Sequence, residues 1–266
     1  MTTQHRVHRR EFLGLTAAFG AVSLASLPGS AVQDRGSHLE ARPAAPSKPK
    51  PPAPGESALG LGSGRDGLLY VPRGYDPGRP APLAVMLHGA GRDAQRMRST
   101  FSLADEFGLV IVAPDSRGRT WNAIEGRMGP DVEFIDAALR SVFARVRVNP
   151  TRVAMAGFSD GASYALELGL ANGDLFSHVI AFSPGYVTSP LRRGKPSVFI
   201  SHGTQDVVLP INNTSRVVTP RLRAAGYDVV YREFDGPHQL LPEIARKAFA
   251  WLVKEGPVRS KPAAHP

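Results

Sequence analysis

The sequence has 266 residues, of which 42% are hydrophobic, enough for one sizeable core and not clearly for two. The formal net charge of +9 comes mostly from scattered Arg; there is no Lys/Arg-rich block or nucleic-acid-binding motif, so no nucleic-acid partner is expected. The absence of cysteine excludes disulfides, thiolate metal sites and cysteine nucleophiles.

Residues 1–31 have the pattern of an export signal. Arg9 and Arg10 precede Phe12-Leu13, and a mostly apolar run from Leu15 to Leu27 ends in small residues. The paired arginines followed by Phe-Leu resemble the twin-arginine pattern, which implies export by the Tat machinery to the periplasm or out of the cell. Cleavage is expected after Ala31. The alternative is an uncleaved membrane anchor.

Composition divides the remaining chain into three parts. Residues 32–58 are rich in Pro and Ala, a composition that buries too little apolar area to offset the cost of ordering, so a disordered linker is predicted. Residues 59–256 are predicted to form one folded domain, and residues 257–266 a tail.

Apolar runs alternate with helical patterns along the predicted domain. The runs, interpreted as strands, are Leu68–Pro72, Pro82–Leu87, Leu109–Ala113, Val153–Ala156, His178–Phe182, Ser197–Ile200 and Asp228–Phe234. Helices are predicted after Asp93, over Val132–Val146, after residue 159, and near residues 212–225 and 240–253. This alternation predicts an α/β fold with a mostly parallel central sheet, helices on both faces and ligands at the carboxyl ends of the strands.

The most informative stretch runs from Arg152 to Ser163. A short apolar strand there ends in Gly157-Phe158-Ser159-Asp160-Gly161, and an Ala/Leu-rich helical pattern follows at once. A strand, a sharp turn and a helix form a nucleophile elbow, in which a strained serine backbone exposes the hydroxyl. Glycines two positions on either side leave the room that such a turn needs. We therefore expect Ser159 to be a catalytic nucleophile.

A serine nucleophile needs a base, and the base needs a carboxylate to orient it. Four of the eight histidines lie at predicted strand ends or starts: His88, His178, His202 and His238. The predicted base is His238, because its loop follows the last strand and can return to the serine.

The predicted acid is Asp206, which follows the preceding strand. Asp235 is the competitor, but it lies only three residues before His238 and would have to point back along its own loop.

An oxyanion hole requires two backbone N–H groups near the nucleophile. The predicted donors are Asp160, which follows the serine, and Ala90 in His88-Gly89-Ala90-Gly91. His88 is expected to brace this loop.

The chain resembles members of the α/β-hydrolase superfamily in four motifs, which are His88–Gly91, Gly157–Gly161, Asp206 and His238. Within it the chain is similar to compact carboxylesterases of the phospholipase/carboxylesterase type and to polyhydroxybutyrate-depolymerase and feruloyl-esterase-like enzymes. The resemblance covers about residues 60–253 and implies ester hydrolysis through an acyl-enzyme on Ser159, with no metal or organic cofactor. It also leaves Asp160 as a departure, since a charged residue directly after the nucleophile either repels acidic substrates or holds the helix start.

The substrate is less well defined by the sequence. Only about a dozen residues separate the strand ending near Ser183 from the next one, so no cap domain is expected. Weak candidates for substrate contact are Gly89, Trp121, Asn122 and Tyr186, with loop packing as an equally good role for Trp121. A polyester, a feruloyl ester or a peptide are alternative substrates for the same triad, and a non-catalytic hydrolase-like binding module is the alternative from another class.

Overall fold

The computed structural model describes residues 37–254 apart from residues 49, 63, 123–128 and 188–191. The export signal and the tail predicted above lie outside the described residues. The strands of the described chain are β1 (Gly55–Ala58), β2 (Gly67–Val71), β3 (Ala81–Leu87), β4 (Val110–Pro114), β5 (Val148–Phe158), β6 (His178–Phe182), β7 (Ser197–Gly203) and β8 (Val229–Phe234). The α-helices are α1 (Phe101–Phe107), α2 (Pro130–Phe143), α3 (Asp160–Ala171), α4 (Ser215–Ala224) and α5 (Pro242–Val253), and Ala94–Thr100 and Ile211–Asn213 are 3-10 helices.

In the described residues the eight strands form one sheet in the order β1-β2-β4-β3-β5-β6-β7-β8. The first two pairings, β1 with β2 and β2 with β4, are antiparallel, and all pairings from β4 to β8 are parallel. The prediction of a mostly parallel α/β-hydrolase sheet is confirmed. Because β5 lies inside the sheet, the turn that follows it is at the centre of the carboxyl edge.

Helices cover both faces of this sheet, as the continuous apolar strands require. Alternate residues of β3 show the division: Leu83, Val85 and Leu87 join the cluster that contains α2 and α3, whereas Ala84 and Met86 join the one that contains α1 and α5. A third cluster joins α3 and α4 to β6 and β7. None of the helices in the described ranges is both long and apolar enough to span a bilayer.

The prediction of a disordered linker over residues 32–58 is wrong for two parts of it. Leu39 is fully buried in the core cluster that contains α2, and its N–H donates to Asn172 Oδ1 at 2.8 Å. The N–H groups of Glu40 and Ala41 both donate to Asp136 Oδ1, at 2.7 and 2.8 Å. Residues 55–58 form strand β1. These backbone hydrogen bonds and one buried leucine fix residues 39–41 against the domain. An argument from composition does not detect such contacts.

Candidate active site

The turn between β5 and α3 has the backbone that exposes a serine side chain. Ser159 lies there with φ 58° and ψ −124°, and positive φ is uncommon for a residue other than glycine. A Cβ atom on Gly157 would lie 2.2 Å from the carbonyl oxygen of Gly161, and one on Gly161 would lie 2.5 Å from the carbonyl oxygens of Leu87 and His88. Only glycine fits at these two positions, and the strained turn depends on them.

His238 lies beside this serine, on the loop between β8 and α5. Its Nε2 atom is 2.8 Å from Ser159 Oγ, and its Nδ1 atom is 2.6 Å from Asp206 Oδ2. The imidazole packs against the ring of Phe158, with centroids 4.8 Å apart, and only 12% of its side chain is exposed. The three predicted side chains therefore form one hydrogen-bonded series.

Asp206 follows β7 and has no exposed side-chain surface. Its Oδ1 atom accepts the N–H groups of Val208 and Leu209 at 2.9 and 2.8 Å, while Oδ2 faces His238 and also lies 3.0 Å from His202 Nε2. Burial by itself would raise the pKa of Asp206, but the hydrogen bonds from Leu209 and His238 hold that pKa below its usual value. The carboxylate is thus ionised although it is buried.

Asp235, the competing acid, takes part in other contacts. Its Oδ1 atom accepts from Gln205 Nε2 at 2.7 Å and from Thr204 Oγ1 at 3.4 Å. These bonds tie the loop after β8 to the loop after β7. Asp206 is therefore the carboxylate that meets the imidazole of His238.

The loop after β3 runs alongside the nucleophile. A Cβ atom on Gly89 would lie 3.3 Å from the Cβ atom of Ser159, so a larger residue would crowd the serine. Ala90 follows and is exposed. The N–H of Asp160, the first residue of α3, has no acceptor within its own helix. Both predicted oxyanion donors thus lie on segments that adjoin Ser159.

The loop after β4 supports the Gly89–Ala90 segment. His88 is buried; its Nδ1–H donates to the Gly89 carbonyl at 2.8 Å, and its Nε2 accepts the N–H of Ser116 at 3.0 Å. Burial lowers the pKa of His88, which favours this neutral ring. The Gly91 N–H donates to the Arg119 carbonyl at 2.8 Å. His88 therefore has the bracing position expected from the sequence.

Two of the weak substrate candidates, Trp121 and Asn122, have other contacts. Trp121 is fully buried, stacks on Tyr164 with centroids 5.3 Å apart, and donates from Nε1 to the His88 carbonyl at 2.8 Å. Asn122 is 5% exposed and exchanges hydrogen bonds with Asp131 through its N–H and its Oδ1. Both side chains are thus packed inside the protein and are not available to a substrate. For Trp121 the structure supports the alternative role of loop packing, because its indole is buried.

The remaining candidates differ in exposure. Tyr186, on the loop after β6, is 63% exposed. Asp160 accepts a hydrogen bond from Thr120 Oγ1 at 2.8 Å, so its carboxylate ties the loop after β4 to the start of α3, where the helix dipole favours negative charge.

Within the described residues no cluster of three or more His, Cys, Asp or Glu side chains could hold a metal ion.

A mostly parallel sheet with a strained serine at the turn after a central strand defines an α/β-hydrolase. The family model described as "Putative esterase" matches residues 60–216, more than half of the chain. The chain therefore belongs to this esterase family, and the resemblance to α/β-hydrolase esterases is confirmed.

Feruloyl esterase C of Emericella nidulans is 29% identical over 159 residues, which cover 56% of this chain and 58% of that relative. The chain thus spans little more than half the length of this curated relative. The crystal structure of esterase PE8 superposes with a TM-score of 0.55 at 25% identity, covering 66% of this chain and 93% of that one. A CE1 ferulic acid esterase of Anaeromyces mucronatus, in complex with ferulic acid, gives a TM-score of 0.56 at 20% identity, covering 71% of this chain and 84% of that one.

Proposed function

We propose that the protein hydrolyses carboxylic esters through an acyl-enzyme on Ser159, with His238 as base and Asp206 as the orienting acid. The observation that carries this proposal is the series of contacts from Asp206 Oδ2 to His238 Nδ1 (2.6 Å) and from His238 Nε2 to Ser159 Oγ (2.8 Å). The chain order Ser, Asp, His is the order of α/β-hydrolases, and the family match supports the same activity.

In the first half of the reaction His238 Nε2 takes the Ser159 proton as Oγ attacks the ester carbonyl carbon. The carbonyl oxygen becomes an oxyanion, which the N–H groups of Ala90 and Asp160 would receive. The proton on His238 then passes to the alkoxide oxygen as the ester C–O bond breaks, and the alcohol leaves. In the second half His238 Nε2 takes a proton from water as the water oxygen attacks the acyl carbon. The oxyanion that forms then collapses, the bond between the acyl carbon and Ser159 Oγ breaks, and His238 returns the proton to Oγ as the acid leaves.

Asp206 keeps the imidazole in the tautomer that this sequence requires. An ionised carboxylate at Nδ1 places the ring proton there, so the lone pair at Nε2 faces Ser159 Oγ. The same negative charge stabilises the imidazolium that forms in each half-reaction. The low pKa of Asp206 is consistent with this role.

Esters with an aromatic or otherwise apolar part are the proposed substrates. Tyr186 on the loop after β6 and Val207 and Val208 on the loop after β7 are large apolar side chains that are 63%, 86% and 63% exposed. Both loops leave the sheet at its carboxyl edge, where Ser159 lies. The similarity to feruloyl esterase C supports a hydroxycinnamoyl ester as the first compound to test.

We also propose export by the Tat route, with cleavage after Ala31. The arginine pair and the apolar run of residues 1–31 carry this proposal. Leu39 is buried in the domain core and follows Ala31 in the chain, so a cut after Ala31 keeps this packed residue in the mature protein. Amino-terminal sequencing of the protein from periplasm and medium tests it, with Arg9→Lys/Arg10→Lys as the variant expected to stay inside the cell.

A fluorophosphonate probe followed by peptide mass spectrometry tests the nucleophile directly. We expect the label on Ser159, and we expect Ser159→Ala to lose the label and to reduce hydrolysis of p-nitrophenyl acetate and methyl ferulate by roughly 10⁴-fold or more. Ser102→Ala, on an exposed position of α1, is the matched control and should keep both. Turnover by Ser159→Ala equal to that of the parent protein would reject the mechanism.

A further inference from the structure

A second histidine contacts the carboxylate of Asp206. His202 lies in β7, four residues before Asp206, and its side chain has no exposed surface. Its Nε2 atom is 3.0 Å from Asp206 Oδ2, the same oxygen that His238 Nδ1 approaches at 2.6 Å. The buried carboxylate therefore lies between two imidazoles, and the mechanism above uses only one of them.

The neighbours of His202 decide which of its nitrogens carries the proton. Nε2 faces two acceptors, Asp206 Oδ2 and the carbonyl oxygen of Leu209 at 2.8 Å, so this nitrogen bears the hydrogen. Nδ1 lies 2.7 Å from Ser215 Oγ and accepts the hydroxyl hydrogen. Burial lowers the pKa of His202, so the ring is neutral near neutral pH and has this single N–H to donate.

We propose that His202 is a positioning residue for ester hydrolysis, which orients the Asp206 carboxylate and sets how strongly it attracts the proton on His238. The proposal extends the triad to a series of contacts that runs His202, Asp206, His238 and Ser159. It rests on the function proposed above for the last three of these residues.

The physical effect follows from counting the donors on Asp206. Three N–H groups donate to it, those of Val208 and Leu209 to Oδ1 and that of His238 to Oδ2. A fourth N–H, on His202 Nε2, donates to the Leu209 carbonyl, and its nitrogen also lies 3.0 Å from Oδ2. Without the His202 donor the same charge is compensated by fewer dipoles, so it interacts more strongly with His238. The protonated form of His238 is then favoured, and the protein loses its active, unprotonated base at a higher pH.

Other charged groups near this series are already paired. Glu233 of β8 lies opposite His202 in the sheet, and Arg216 of α4 holds the pKa of that carboxyl at about 2 through a hydrogen bond. Asp235 accepts from Gln205, and Asp160 accepts from Thr120. These carboxylates therefore have partners of their own, and the two imidazoles are the groups placed against Asp206 Oδ2.

The test compares three variants by the pH dependence of ester hydrolysis and of fluorophosphonate inactivation, which needs no natural substrate. His202→Phe keeps an aromatic ring but has no N–H to donate. We expect the midpoint of the acid limb of kcat/KM to move to a higher pH by roughly one unit. We also expect kcat to fall about tenfold while KM changes little. His202→Gln restores an amide N–H and should recover most of the parent profile. Ser215→Ala removes only the bond to Nδ1, so it should lower Tm and leave the profile in place.

The proposal is overturned if His202→Phe folds and the acid limb of its kcat/KM profile coincides with that of the parent protein. If this variant does not fold, ¹⁵N NMR of the parent protein decides: the proposal requires a hydrogen on His202 Nε2 and none on Nδ1, and the opposite tautomer would overturn it. Failure of the proposed function gives a different result. In that case the parent protein neither hydrolyses esters nor carries the fluorophosphonate on Ser159, whatever tautomer His202 has.

Discussion

Oγ of Ser159 lies 2.8 Å from Nε2 of His238, although 79 residues separate them in the chain. Two features of the fold produce this contact. Ser159 directly follows the central strand β5 and has a positive φ, which exposes its hydroxyl above the carboxyl edge of the sheet. His238 follows β8, the edge strand, and its loop returns across the end of β7, where Asp206 holds the ring.

We expect Asp206→Asn to reduce kcat by roughly 10³- to 10⁴-fold, because an amide at this site no longer fixes the imidazole proton on Nδ1. The matched control is Asp235→Asn, which changes a carboxylate on the neighbouring loop that binds Gln205 and not His238. It should keep activity within about twofold of the parent protein. Steady-state kinetics with p-nitrophenyl acetate measures both. A greater loss in Asp235→Asn would show that the acid has been assigned to the wrong residue.

The glycine pattern around Ser159 leads to a stability prediction. A Cβ atom on Gly157 would lie 2.2 Å from the Gly161 carbonyl oxygen, so Gly157→Ala must displace backbone in the elbow. We expect it to lower the free energy of unfolding by about 1–3 kcal/mol or more, and to reduce activity. Gly74→Ala is the control, since that Cβ would meet no atom within 4 Å. Urea unfolding of both variants makes the comparison, and equal stability would contradict the packing argument.

The sequence predicted the sheet and the region of the site because these depend on patterns of short range. Continuous apolar runs mark buried parallel strands, and Gly-x-Ser-x-Gly marks a turn whose strain is local. The prediction that Ser159, Asp206 and His238 share one edge follows from strand direction alone. The structure brings their side chains within hydrogen-bond distance, and their catalytic roles stay predictions.

What the sequence did not indicate depends on contacts distant in the chain. Trp121 donates to a carbonyl 33 residues away, and nothing in its loop marks it as buried. Strand β1 has the sequence Gly-Glu-Ser-Ala, without an apolar pattern, and forms through its backbone pairing with β2. The contact of His202 with Asp206 had a weak sequence signal, their spacing of four residues, but a strand-to-loop turn between them makes that spacing uninformative.

The buried leucine of the amino-terminal segment leads to the next prediction. Leu39→Ala should lower the free energy of unfolding by about 2–5 kcal/mol, as expected for truncating a fully buried leucine. Val207→Ala, at a position that is 86% exposed, should change stability by less than about 0.5 kcal/mol. A shortened chain that begins at residue 43 should lose a comparable amount of stability. If it unfolds at the same urea concentration as the chain that begins at residue 32, the segment is a linker after all.

His178 makes the stability of the domain sensitive to acid. It begins β6, stacks edge to face on Trp251 with centroids 4.7 Å apart, and its pKa is lowered to about 4, first by burial and then by Arg152. The native state therefore resists a proton that the unfolded chain binds near its ordinary pKa of 6.5. Stability from this group is present above about pH 6.5 and is lost as the pH falls toward 4.

We expect His178→Phe to flatten the dependence of the unfolding free energy on pH between about 6.5 and 4, reducing proton uptake on unfolding by up to about one. The phenyl ring can retain the edge contact with Trp251 and has no group to titrate. Other buried imidazoles, such as His88 and His202, also have pKa values lowered by burial and contribute to the pH dependence, so the difference between parent and variant is the quantity that isolates His178. Urea unfolding at half-unit steps of pH measures it, and parallel curves would show that His178 is protonated equally easily in both states.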